Sequence, residues 1–295
     1  MVVIEEQKKG KKTYYYLSQS YRQDNEVKKK RVYLGETLPK DLDKKKKEFE
    51  REINQELYFD KILRIKRGFN KEYSAMPKSA KEKSKETFAI KFTYNTQKIE
   101  GSTLSLRETA NLLEDGITPS AKPLRDVKEA EAHKKLFLEM MACEKDVSLD
   151  LILDWHKKLF KDTKGDIAGE VRQHNVGIAM SKFRPPKYPV MGAMLKEFFE
   201  WYQKNKKDIN PVELAALVHL KFVTIHPFGD GNGRISRLLM NFVLKMHDFP
   251  LLDIPYTKRN SYYNALERSQ ISGDESIFVQ WFLKRYISEY KEYLD

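Results

Sequence analysis

The stretch HPFGDGNGRISR at residues 226–237 places one histidine, one aspartate and two arginines around three glycines. Each type has a job in phosphate chemistry. Backbone N–H groups of a glycine-rich loop opening a helix form an anion site, and Gly231 and Gly233 permit close approach of a phosphate. Arg234 and Arg237, three apart on a helix, can offer forked donors to phosphate oxygens. Asp230 is a single carboxylate beside that site, and Mg²⁺ characteristically binds through one or two carboxylates together with substrate phosphates. His226, at the end of the preceding helix, has a pKa suited to accepting a proton from a hydroxyl.

Other phosphate motifs do not fit. No G-K-(S/T) follows the glycines, and the loop follows a helix rather than a strand, which excludes a P-loop and a dinucleotide fingerprint. A plain polar turn between two core helices would use the glycines but has no need of the base, the acid and both cations.

The elements that must hold this loop read as helices. NPVELAALVHLKFVTI has Asn210 as N-cap, Pro211 at the first helical position and Glu213 at the third, and the next helix begins near Asn232–Gly233. Upstream, Phe88, Phe92 and Ile99 recur at helical spacing before the stop signal Gly101. Ser105 and Glu108 form a capping box. Leu149, Ile152, Trp155 and Leu159 mark another amphipathic helix. Residues 165–191 are rich in Gly, Pro and β-branched types and predict a hairpin-like loop long enough to be functional. The front is different. VVIEE, TYYYLS and KKRVYLG, separated by the turn signals KKG and RQDNE, predict a small antiparallel sheet, followed by a helix with Leu42, Phe49, Ile53, Leu57 and Ile62 on one face.

Composition sets the outer limits. The 295 residues carry 16 Phe and a 40% hydrophobic share, enough for a packed core. No apolar run reaches the ~18–20 residues of a membrane span, and MVVIEEQKKGKK has no signal-peptide core, so a cytoplasmic location without a membrane partner is expected. The lone Cys143 makes no intrachain disulfide and is expected to be a small helical core residue. His133, His156, His174 and His219 lack metal-ligand spacing and read as structural or surface groups, and Met240 and Met246 read as core filler. Residues 1–90 hold 24 Lys and Arg against 15 Asp and Glu. That basic front could meet nucleic acid or an acidic partner. Elsewhere charge is nearly balanced, so any nucleic-acid contact is expected only through the N-terminal module.

The quoted stretch resembles the signature of the Fic family, H-x-F-x-(D/E)-G-N-G-R-x-x-R, with His226, Phe228, Asp230, Gly231, Asn232, Gly233, Arg234 and Arg237 all in place. The resemblance extends over about residues 85–290. It implies a mainly α fold, a Fic-type helical bundle with a β-hairpin flap, here preceded by a small antiparallel β module. The expected divisions are 1–45 for that module, 46–84 for a charged linker helix and 85–295 for the catalytic domain. The implied activity is transfer of AMP from ATP to a Ser, Thr or Tyr hydroxyl of a target protein, with Mg²⁺ as cofactor. By the same resemblance His226 is the base, Asp230 holds Mg²⁺, and Gly231, Asn232 and Gly233 form the anion hole. Arg234 and Arg237 bind the outer phosphates, and Phe228 packs inward. Relatives acting as kinases carry lysine at the second motif glycine, where this chain keeps Gly233. GEVRQHNVGIAM is similar to the target-docking flap, which nominates Val176 and Ile178 as clamps. Tyr262, Tyr263 and Gln270 correspond to the adenosine side, Gln270 standing where relatives commonly carry asparagine.

TQKIEG at 96–101 resembles the family's inhibitory motif, (S/T)-x-x-x-E-(G/N). Glu100 closes a helix, where the dipole disfavours an acid. The resemblance pairs it with Arg237, removing the γ-phosphate's arginine, with Thr96 fixing the helix and Gly101 ending it. Relatives with this brake often form homodimers. The alternatives are AMP removal, transfer of another nucleotide, a non-catalytic nucleotide-binding module and a DNA-associated regulator.

Overall fold

A computed structural model describes residues 2–23, 26–179 and 181–294, and these divide into two units, 1–65 with 283–295 and 66–282. In the first unit β1 (Val3–Lys9), β2 (Lys12–Gln23) and β3 (Glu26–Gly35) form an antiparallel meander with β2 central. Gly10, at φ 62, makes the two-residue turn between β1 and β2, since such turns require the left-handed region. The centre of the turn expected at RQDNE, residues 24 and 25, lies outside the described residues. Leu17 of β2 meets Phe49 and Ile53 of α1 (Leu42–Asn54), with Val2, Tyr21, Leu34, Leu42 and Leu57 packed around them. That core is what a three-stranded sheet needs to be stable. It also pulls Leu42 into the helix, so the division expected at residue 45 falls inside α1. A π-helical turn, Gln55–Phe59, leads into α2 (Asp60–Ala75).

Among its described residues the second unit is helical throughout its regular structure. It contains α3 (Lys78–Ile99), α4 (Leu106–Asp115), α5 (Leu124–Ala142), α6 (Leu149–Phe160), α7 (Met191–Asn205), α8 (Pro211–Ile225), α9 (Asn232–Met246) and α10 (Arg259–Ser272). Helix α11 (Glu275–Glu289) starts in this unit and ends in the first. Residue 85 lies within α3. The expected caps are present. Asn210 Oδ1 accepts from the Val212 N–H at 3.0 Å, and Ser105 and Glu108 exchange both bonds of the capping box. Helix α8 is buried on nearly every side, from Val212 to Phe222, the pattern of a helix at the centre of a domain. It packs on α9, and α3, α5, α6 and α7 surround the pair. Cys143 sits half-buried just past the end of α5, not within a helix. Among the described residues no helix is long and apolar enough to cross a membrane.

Burial holds three of the histidines neutral. Desolvation lowers His133 to about 3, helped by the nearby Arg234 and Arg237 cations. It lowers His219 to about 3 and His156 to about 4. In the unfolded chain they titrate near ~6.5. Below that pH the unfolded state gains protons that the folded state refuses, so stability is complete above it and drains away towards the folded values. The melting temperature is therefore expected to fall as pH is stepped down from about 6.5, before most carboxylates titrate. Calorimetry across that window checks it, and a flat profile would contradict it.

Candidate active site

Helix α8 stops at His226, which takes the left-handed conformation at φ 55 and ψ 56. The loop then returns into α9 through Gly231, at φ 80. A Cβ at Gly231 would collide with the Phe160 ring, so glycine is required there by both space and backbone. Inside the loop Asn232 Oδ1 accepts from the Phe228 N–H and its amide donates to the Phe228 carbonyl, both at 2.9 Å. The side chain is thus committed to closing the loop. The Asn232 backbone N–H is one of the first-turn donors of α9 that lack intrahelical acceptors.

Phe228 is fully buried and stacks on His156, ring centroids 3.8 Å apart. His156 Nδ1 accepts from the Gly169 N–H at 2.9 Å, so the proton of this neutral ring sits on Nε2 and is donated to the Asp230 carbonyl at 3.0 Å. The residue is structural, as expected, but it supports the motif itself. His226 is oriented in the opposite sense. Its Nδ1 lies 3.2 Å from the Val223 carbonyl and donates to it, leaving the Nε2 lone pair free. Burial lowers its pKa, and the carbonyl and the carboxylates of Glu100 and Asp230 oppose that against the Arg172 cation.

Burial alone would raise Asp230, but Arg234 and Lys164 outweigh it and hold the carboxyl at about 2. Lys164 is ion-paired to Oδ2, Arg234 Nη2 lies 3.2 Å from Oδ1, and the Gly231 N–H donates to Oδ1 at 2.5 Å. Among the described residues no cluster of three His, Cys, Asp or Glu could cage a metal. An ionised, partly exposed carboxylate next to a phosphate site nevertheless suits Mg²⁺, which keeps several waters and takes few protein ligands. Lys164, absent from the sequence reading, must yield an oxygen for direct coordination.

The two arginines do not act as a pair. Arg234 is 3% exposed and directs its guanidinium to Glu129 and Asp230, with Gln97 Oε1 at 3.1 Å and the Phe160 ring 4.6 Å away. In the absence of nucleotide it braces the loop against α5. Arg237 turns towards α3. Its Nε donates to Thr96 Oγ1 at 2.5 Å, Nη2 to Glu100 Oε1 at 2.5 Å and to the Thr96 carbonyl at 3.2 Å, and Nη1 to the Tyr262 hydroxyl at 3.3 Å. Thr96 therefore touches the arginine directly. A Cβ on Gly233 would collide with Glu100 Oε1 and lie 3.0 Å from Arg237 Nη1. The Glu100 carboxylate occupies the space over the first turn of α9.

The remaining expectations divide. Tyr262 is buried, its hydroxyl 2.9 Å from His219 Nε2 and 3.3 Å from Arg237 Nη1. Tyr263 is exposed and donates to the Ile99 carbonyl at 3.3 Å. Gln270 donates to Thr224 Oγ1 at 3.2 Å and lines a cleft of about 350 Å³ with Phe198, Trp201 and Lys221. Val176 and Ile178 lie half-buried on the flap, but its described residues form no strands. Pro185 and Pro186 lack ladder donors. The loop is instead anchored by side chains: Glu267 accepts from Ser181 Oγ at 2.8 Å and the Lys182 N–H at 2.6 Å, and Arg172 binds loop carbonyls. None of Glu129, Lys164, Arg172 or Glu267 carries a local sequence signal.

Residues 146–244 match the Fic/DOC family. The chain is 31% identical over 242 residues to protein adenylyltransferase fic-1 of Caenorhabditis elegans, covering 79% of this chain and 47% of that protein. It is 30% identical over 206 residues to protein adenylyltransferase Fic of Drosophila yakuba, covering 68% and 41%. The chain thus spans about half the length of the curated relatives it matches. Among solved structures, a Fic domain containing signaling protein from Bacteroides thetaiotaomicron superposes with a TM-score of 0.70 at 26% identity, covering 78% of this chain and 95% of that one. Residues 134–508 of Fic-1 from C. elegans give 0.69 at 28%, covering 86% and 75%.

Proposed function

We propose that this chain, which belongs to the Fic/DOC family, transfers AMP from ATP to a hydroxyl side chain of a target protein and is held in check by Glu100. The observation that carries the reading is the juxtaposition at the mouth of α9. A neutral imidazole with a free Nε2 stands beside a helix N-terminus over which an acidic side chain of the same protein already lies. A helix N-terminus favours an anion there, so Glu100 stands in for a phosphate.

In the reaction the target oxygen forms a bond to the α-phosphorus, its proton passes to His226 Nε2, and the α–β anhydride bond breaks to release pyrophosphate. Mg²⁺, when held by Asp230 with the phosphates, offsets their negative charge. The N–H groups of Asn232 and Gly233 receive phosphate oxygens, and Arg237, once free of Glu100, binds the γ-phosphate. Val176 and Ile178 guide the target segment, with Tyr263 and Gln270 towards the adenosine. The relatives named adenylyltransferases support the chemistry, and the Glu100–Arg237 pair supports the brake.

The fate of the label tests the reaction. Glu100→Gly protein is incubated with Mg²⁺ and ATP labelled at either the α- or the γ-phosphate, with and without a cell lysate. Label is expected on protein from the α position alone, with pyrophosphate in solution. Retention of γ label would make the chain a kinase and end this reading.

A further inference from the structure

Arg172 is 5% exposed, and among the described residues it pairs with no carboxylate. All of its guanidinium bonds to oxygen go to backbone carbonyls. Nε donates to the His226 carbonyl at 2.8 Å, Nη1 to that of His174 at 2.7 Å, and Nη2 to that of Pro186 at 2.6 Å, with Met191 Sδ 3.3 Å from Nη2. Its own N–H donates to the Pro227 carbonyl at 2.9 Å. One residue therefore holds the two carbonyls that follow the end of α8, and also both stems of the loop carrying Val176 and Ile178.

That arrangement bears on the base. Among the described residues His226 is one of three non-glycine residues with positive φ, a conformation that must be held by its surroundings. In that conformation Nδ1 reaches the Val223 carbonyl, and this contact decides which nitrogen can accept a proton. We infer that Arg172 is a positioning residue which ties the tautomer and aim of His226 to the conformation of the flap, so that a target settling on the flap also sets the base. This rests on the function proposed above. The fork is essential, because a lysine ammonium keeps the charge but cannot span three carbonyls in one plane.

The test compares the Glu100→Gly protein with the same protein carrying Arg172→Lys, and with a loop variant, Pro185→Gly with Pro186→Gly, which leaves the guanidinium in place. Imidazole nitrogen NMR reads the His226 tautomer, the signal being assigned by its loss in His226→Ala. Melting temperature, ATP affinity, kcat and KM are measured in parallel. The Arg172→Lys protein is expected to show a mixture of tautomers, and kcat lower by about 100-fold, the cost of a misplacement near 1 Å, with ATP affinity little changed. The loop variant should shift the tautomer in the same direction, and it carries the test alone if Arg172→Lys does not fold. An unchanged tautomer in the folded variants, or a rate loss matched by loss of folded protein, overturns the inference. If no form transfers AMP yet the tautomer still mixes, the proposed reaction falls and the positioning role stands.

Discussion

Glu100→Gly is expected to raise AMP transfer by between about 5- and 150-fold, the span of a 1–3 kcal/mol coupling between two sites. Arg237 is 1% exposed and Glu100 25% exposed, so the pair is desolvated on one side only. Every donor nitrogen of Arg237 has a partner from α3 or α10, but Glu100 is the only acid among them. Removing it leaves a buried cation that Thr96 and Tyr262 hydrogen-bond without neutralising. A γ-phosphate would restore the missing charge, and glycine also clears the space over Gly233 that the carboxylate fills.

Two further signs accompany the rate. Breaking a fully buried pair costs ~3–5 kcal/mol, and the exposed part of Glu100 reduces that here, so the nucleotide-free variant should melt measurably lower than the parent. Added ATP should then raise its melting temperature by more than it raises the parent's, because bound ligand stabilises in proportion to its affinity. Transfer assays on both proteins at matched Mg²⁺ and ATP, with melts alongside, check the set. A parent that already works at the variant's rate would show that the ion pair is no brake.

Backbone demands in the motif were legible because glycine and proline announce them. Gly231 needs positive φ, Pro211 and Asn210 start α8, and Gly101 ends the helix that presents Glu100. The Glu100–Arg237 pair was legible only through family resemblance, since nothing near Glu100 in the chain names a partner on α9. Side-chain destinations were the least legible. Spacing put Arg234 and Arg237 on one helix face, yet packing turns one to Glu129 on α5 and the other to α3. Charge neutralisation inside a core is a tertiary matter, and a local pattern carries no record of it. The flap shows the same limit. Its residue types suggested paired strands, but prolines, the buried guanidinium of Arg172 and the carboxylate of Glu267 satisfy its backbone without a ladder.

His226→Ala, introduced into the Glu100→Gly protein, is expected to lower kcat by about 10²–10⁴-fold, the usual contribution of a positioned general base. The imidazole meets the requirements for that role before any substrate arrives. Its Nδ1 proton is held by the Val223 carbonyl, so Nε2 is an acceptor. Burial and the Arg172 cation lower its pKa from the usual histidine value, so the ring is already neutral at pH 7. The rate should therefore rise only through the mildly acidic range and level off by neutrality, and that acid limb should vanish in the alanine variant. The contacts that arrange the nucleotide end of the site, Asp230 with Lys164 and Arg237 with Thr96, do not involve the imidazole. ATP affinity should thus survive while turnover is lost, which separates a missing base from a collapsed site. Single-turnover transfer, a pH profile and equilibrium ATP binding on both proteins make the comparison. Transfer at the parental rate by the alanine variant would remove His226 from the chemistry and leave the target hydroxyl to lose its proton elsewhere.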